Sequence, residues 1–154
     1  MGLDMYLNAR RFLWTGWGPQ HRGKDDDVAD AIQAALPEMG SMRPKYVEVE
    51  AAYWRKANHI HQWFVDNVQE GNDDCGYYHV DREQLTELAD LCDKVLEDQE
   101  RANELLPTTN GFFFGGTEYG EYYHEQTAYT RDRIRELLGN EDLASWDFQY
   151  HSSW

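Results

Sequence analysis

Residues 51–71 read AAYWRKANHIHQWFVDNVQEG, and the rest of the chain is arranged around them. On a helical wheel Tyr53, Ala57, Ile60, Phe64 and Val68 share one face at three- and four-residue spacing. Trp54, Asn58, His61 and Val65 form the adjoining stripe. The spacing predicts one amphipathic helix, ended by Gly71 in the left-handed conformation that residues with a Cβ resist.

On the N-terminal side, Leu3 to Phe12 alternates as a strand does, with Leu3, Met5 and Leu7 on one face. Gly16, Gly18 and Pro19 then mark a loop. Asp25 to Leu36 reads as a short helix. Its leading aspartates suit the positive end of the helix dipole, and Val28, Ala31, Ile32 and Ala35 form a thin apolar face. Pro37, Gly40 and Pro44 delimit a second loop, so residues 14–44 read as an insertion or flap within a single domain spanning 1–154. Tyr46 to Glu50 is a short strand feeding the central helix.

On the C-terminal side, Tyr77 to Val80 is a strand candidate. Asp81 with Gln84 three residues on has the form of a capping box. The helix behind it turns Leu85, Leu88, Ala89, Cys92, Val95 and Leu96 inward and extends, with a break, to Leu106. Gly111 to Gly116 (GFFFGG) reads as a compact strand between glycines. A last helix from about Tyr119 to Leu138 buries Tyr123, Thr127, Thr130, Ile134 and Leu137. Trp146 to Trp154 (WDFQYHSSW) is a closing strand that pairs with the N-terminal one. The class is α+β: a small, mostly antiparallel sheet packed against three main helices.

Composition narrows the function. The 154 residues include 29 Asp/Glu against 14 Lys/Arg, a formal charge of −15. Such a surface repels phosphate backbones and anionic lipids, so direct nucleic-acid and membrane binding are not expected. It suits solubility, a basic protein partner, or mimicry of nucleic acid in a competitor's groove. Residues 66–104 alone hold 13 acidic and 3 basic side chains, which is either a solvated face or a partner-binding one. No apolar run is long enough to span a bilayer, and MGLDMYL predicts neither a secretory leader nor a myristoyl anchor. Two cysteines, Cys75 and Cys92, are too few for a disulfide framework, which points to a reducing cytoplasm.

Chemistry has few places to reside. His59 and His61 point about 200° apart on a helix and cannot share an ion unaided, and no metal signature occurs. Neither a metal nor a cofactor is expected. Asn58 and His61 are either satisfied core groups or the polar floor of a pocket. The run Gly115-Gly-Thr-Glu-Tyr-Gly120 offers free backbone N–H groups to an anion, or else Thr117 caps the helix. Asn58, His61, Thr117, Glu118 and Tyr119 are therefore the candidate ligand-binding set. Arg55, Lys56, His59 and Trp63, with Glu83, Glu87 and Asp90 on the acidic helix, are the candidate partner contacts. Trp63 is either covered by the 14–44 segment or an exposed anchor. No catalytic residue is assigned. An enzyme would have to use His61 and Glu118 as acid and base.

MGLDMYL at 1–7, AYWRKANHIHQWFVDNVQ at 52–69, DDCGYY at 73–78, GFFFGGTEY at 111–119 and the terminal WDFQYHSSW together resemble a family of small proteins encoded by bacteriophages and prophages. The resemblance spans most of the chain, with 14–44 the least matched part. Some members carry kinase-like labels, for which this chain has neither the phosphate loop nor the size. The resemblance implies a phage product made in the host bacterial cytoplasm. By analogy it implies an inhibitor of host defence, such as CRISPR or a nucleotide-signalling system. The leading expectation is a non-enzymatic inhibitor acting through an acidic, aromatic surface. The alternatives are a protein that sequesters a nucleotide signal in a pocket near His61 and Thr117–Tyr119, and a small enzyme.

Overall fold

Alternation along the first strand decides which side of the sheet is the inside. In β1 (Asp4–Phe12) Met5, Leu7 and Ala9 are buried, while Asp4, Tyr6 and Asn8 are not. A period of two is the signature of a strand with one face on a core and the other open. The computed structural model describes residues 2–16, 20 and 22–154. The loop residues Gly18 and Pro19 named above lie outside the described residues.

Among the described residues the order is β1, α1 (Lys24–Ala35), β2 (Tyr46–Arg55), α2 (Asn58–Asn67), β3 (Tyr78–Val80), α3 (Arg82–Glu97), the short α4 (Ala102–Leu105), α5 (Glu121–Gly139) and β4 (Asp147–Ser153). The strands form one sheet in the order β2-β1-β4-β3, so the N- and C-terminal strands are neighbours at its centre. β3 runs antiparallel to β4, with Tyr78 opposite Tyr150 and Val80 opposite Phe148. The class is the α+β one expected.

The chain resolves into two compact units, Met1–Ala9 with Glu50–Trp154, and Arg10–Val49. The first holds the main core, where Leu3, Met5 and Leu7 meet Ile60, Phe64, Leu85, Leu88, Ile134, Phe148 and Tyr150. Gln84 closes the predicted box by accepting the Asp81 N–H at 2.9 Å. α3 buries Leu85, Leu88, Ala89, Cys92 and Val95, and α5 buries Tyr123, Thr127, Thr130, Ile134 and Leu137, as their spacing predicts. α5 also protects the outer edge of β2. The Tyr53 N–H donates to the Tyr129 hydroxyl at 3.4 Å, Arg133 Nε donates to the Ala51 carbonyl at 2.6 Å, and the Tyr122 hydroxyl donates to the Arg55 carbonyl. Residues 51, 53 and 55 are the outward-directed backbone positions of an edge strand, which would otherwise be a template for unwanted pairing.

Three expectations need correction. The 51–71 segment is not one helix, because Ala51–Arg55 belong to β2 and only Asn58–Asn67 are helical. Ala52 in, Tyr53 out, Trp54 in and Arg55 out is a strand pattern hidden inside a helical one. Pairing decides between them: the Lys56 N–H donates to the Leu3 carbonyl at 2.7 Å, and Lys56 then turns with φ +56°. Gly71 does take the left-handed conformation (φ +81°), four residues beyond the end of α2, and its N–H returns to the Val65 carbonyl at 2.8 Å. GFFFGG is a turn rather than a strand, tied down by a Phe114 N–H bond to the Gly111 carbonyl at 3.1 Å.

The third correction falls in the second unit. α1 forms where expected, but Ala31 and Ala35 are exposed, and Asp26 and Ala29 are its buried residues. The aspartates anchor the preceding loop. Asp25 accepts from Arg11 at 2.7 Å and from the Trp14 N–H at 3.0 Å, while Asp26 accepts the Gly23 N–H at 3.1 Å. Short carboxylates that satisfy loop amides outcompete an apolar stripe this thin.

Candidate functional site

The tight turn at Lys56 delivers Asn58 to the first turn of α2, where its side chain is 2% exposed. All of its polar capacity is directed at one loop. Asn58 Nδ2 donates to the Phe114 carbonyl at 3.0 Å and the Gly116 carbonyl at 2.9 Å, and Oδ1 accepts the Thr109 N–H at 2.9 Å. Gly115 (φ +87°) lies so close to Lys56 that a Cβ there would sit 3.0 Å from the Lys56 Cβ. Asn58 is thus the clamp that shapes residues 109–116. Asn58→Ala is expected to cost about 1–3 kcal/mol, since three backbone groups lose a partner. Hydrogen exchange should show amides 109–116 losing protection while those of α3 keep theirs.

Beneath that loop lies a groove of about 280 Å³, lined by Lys56, Asn58, His59, Glu118, Glu121 and Tyr123 among others. The structure brings Asn58 and Glu118 together there. His61 does not join them. Thr117 gives its carbonyl to the Thr108 hydroxyl at 3.0 Å, and Tyr119 gives its hydroxyl oxygen to the Thr108 N–H at 3.3 Å. α5 begins at Glu121 with Gly120 as its N-cap and no side-chain cap, so Thr117 does not cap it.

The two histidines face different neighbours. His59 Nε2 is 3.1 Å from the Thr127 hydroxyl, which itself donates to the Tyr123 carbonyl at 2.7 Å. Thr127 therefore accepts, and His59 carries its proton on Nε2. The ring packs on Tyr123 with centroids 4.1 Å apart. Burial lowers the His59 pKa to about 3, reinforced by the neighbouring His124, because a desolvated imidazole resists protonation.

His61 is 0% exposed and stands between Tyr150 and Asp73. Nδ1 lies 2.7 Å from the Tyr150 hydroxyl, and Nε2 lies 3.1 Å from Asp73 Oδ2. The neutral ring satisfies both by accepting from Tyr150 and donating to Asp73. Burial lowers its pKa, against the opposing pull of Asp73. Asp73 Oδ1 in turn accepts from Trp154 Nε1 at 3.1 Å, which ties the last residue of the chain to this network. Both ring nitrogens are engaged and the Tyr150 hydroxyl is buried with them, so His61 holds the core together. Nothing in the sequence announced Asp73 or Tyr150 as its partners; Tyr150 is 89 residues away.

Of the partner set, His59 is 4% and Trp63 7% exposed, so neither is a surface contact. Trp63 lies in a crevice with Leu105, Leu106 and Pro107. Arg55 and Lys56 are exposed, as are Glu83, Glu87 and Asp90. Asp90 holds Arg135 at 2.5 Å. Glu83 lies in a trough with Asp81, Asp147 and Trp146 at the start of α3.

Charge is divided very unevenly. Residues 10–49 carry six Lys/Arg and six Asp/Glu, so the entire −15 belongs to the other unit, with eight basic and 23 acidic side chains. All six of that unit's arginines are engaged within it. Arg55, Arg101, Arg131, Arg133 and Arg135 meet carboxylates, and Arg82 donates to the Leu143 carbonyl. Among the described residues, no group of three or more His, Cys, Asp or Glu side chains is placed to hold a metal ion. No helix there is long and apolar enough to cross a membrane.

The architecture defines an α+β protein with a strongly acidic main unit. Comparison with models of known families, with curated proteins and with solved structures returns no match.

Proposed function

We propose that the chain is a non-enzymatic binding protein that occupies the basic surface of a protein partner. In keeping with the phage resemblance of its motifs, that partner is a component of a bacterial defence system, met in the host cytoplasm. The observation that carries this reading is the confinement of the net −15 to one unit whose arginines are already engaged. Glu83 and Glu87 remain exposed on α3. Such a field steers a cationic partner into contact and weakens with salt.

The test is phage plating on a restricting bacterium that expresses the chain. Wild-type protein should raise plating efficiency, and the double variant Glu83→Lys, Glu87→Lys should lose the effect while unfolding at the same temperature. Equal plating with and without the chain, across hosts carrying different defence systems, would count against the proposal.

A second reading, capture of a small ligand, is supported by the groove beside Asn58 and Lys56. Its volume is at the lower end for ligand pockets. Glu118 and Glu121 on its wall disfavour a nucleotide phosphate. A small cationic or zwitterionic molecule suits it better, and would be detected as a rise in melting temperature.

A further inference from the structure

The face of the sheet that turns away from the core carries Asp4, Asn8 and Gln149, and a row of rings among them. Four rings cross it in sequence, one from each strand or its end. Tyr53 of β2 packs on Tyr6 of β1 with centroids 5.3 Å apart, Tyr6 stacks on His151 of β4 at 4.7 Å and 13°, and His151 meets Tyr77, just before β3, at 4.3 Å. Tyr53 is 36% and Tyr77 63% exposed, with Tyr6 and His151 half-buried between them. These rings contribute nothing to the core, which lies on the opposite side among Met5, Leu7, Phe148 and Tyr150. Isolated exposed apolar residues are common on proteins, but a contiguous aromatic row is a recognition surface.

Charge selects the occupant. Aromatic rings on an open sheet suit either stacked bases or cationic side chains. A carboxylate sits at the Tyr53 end of this row, where Asp4 accepts the Tyr53 hydroxyl. Arg55 is the cation at the Tyr53 end, 3.9 Å from Asp4. With the whole −15 in this unit, a phosphate backbone is repelled and a guanidinium is attracted. The chain itself uses that contact, with Arg82 placed 5.3 Å over the Phe148 ring.

We propose that the Tyr53–Tyr6–His151–Tyr77 row docks an arginine-rich segment of the protein partner through cation–π contacts. This rests on the reading of the chain as a binder of a basic protein and adds to the exposed carboxylates of α3 an aromatic contact surface on the sheet. Arginine fits better than lysine, because a planar guanidinium stacks on a ring while an ammonium keeps its water.

The experiment titrates the full chain with a labelled (Arg-Gly)₅ peptide, with (Lys-Gly)₅ and (citrulline-Gly)₅ as controls and oligothymidylate as the competing class. The arginine peptide should bind best, and its binding should shift the His151 and Tyr77 resonances. Tyr77→Ala should weaken it by roughly tenfold, whereas Tyr77→Phe, which keeps the ring, should bind within about twofold of wild type. Unfolding temperatures confirm that both variants are folded. Equal arginine and citrulline binding, unchanged affinity in Tyr77→Ala, or preferential binding of oligothymidylate would each overturn the inference. In the plating assay, Tyr77→Ala should lose protection. Full protection by that variant overturns the aromatic row and leaves the wider reading standing. Failure of wild-type protein to protect sinks the wider reading, and the peptide series still decides the row.

Discussion

Phe64→Ala is expected to destabilise the fold by about 3–5 kcal/mol, the range for a buried aromatic cut back to a methyl. Phe64 is fully buried. Its ring lies parallel to that of Tyr150 at 3.9 Å and 7°, and Trp63 and Trp54 pack at 5.2 and 6.0 Å. Tyr150 is in turn held by His61, so a cavity at Phe64 would loosen a polar network as well as an apolar contact. Urea unfolding at neutral pH measures the loss. Phe112→Ala is the matched control, because that ring is 94% exposed and its removal should change stability by less than about 0.5 kcal/mol. A Phe64→Ala loss as small as the control's would mean that the helix face is misassigned.

Acid is expected to destabilise the protein well above the range in which its carboxylates titrate. His59 ionises at about 3 in the folded chain and near 6.5 when unfolded, so between these values the unfolded state binds more protons. The stabilisation from holding His59 neutral is complete above pH 6.5 and is lost as pH falls toward 3. At pH 5 the loss is on the order of 2 kcal/mol. The lowered pKa of His61 acts in the same direction. Stability measured at pH 7.5 and pH 5 should therefore fall steeply in wild type and less steeply in His59→Gln, whatever that variant's starting stability. Equal slopes in the two proteins would show that His59 is not held neutral by burial.

Both effects come from α2, whose reading from the sequence was half right. Ile60 and Phe64 lie in the interior as their spacing implies, yet Ala51–Arg55 went to a strand. The two periodicities overlap over Tyr53 and Trp54 but disagree at Tyr53, which the helical one turns inward and the strand one outward, and local pattern has no means of choosing between them. The choice came from Leu3, fifty-three residues away, whose carbonyl takes the Lys56 N–H. The same limit applied to the histidines. Helix geometry alone separates His59 from His61, but only the fold supplies Thr127 to one and Tyr150 with Asp73 to the other.

What the chain's own order of residues determined is the class, the buried faces of α3 and α5, and the acidity of residues 66–104. Each follows from short-range periodicity or from composition, which need no partner to be read. Tertiary structure decided where β2 ends, that Asn58 clamps a loop, and that Trp63 and His59 are interior. It also assembled Tyr53, Tyr6, His151 and Tyr77 into one row. Those outcomes depend on which strand lies beside which, and strand order is set by the energy of the whole packed sheet rather than by any single segment.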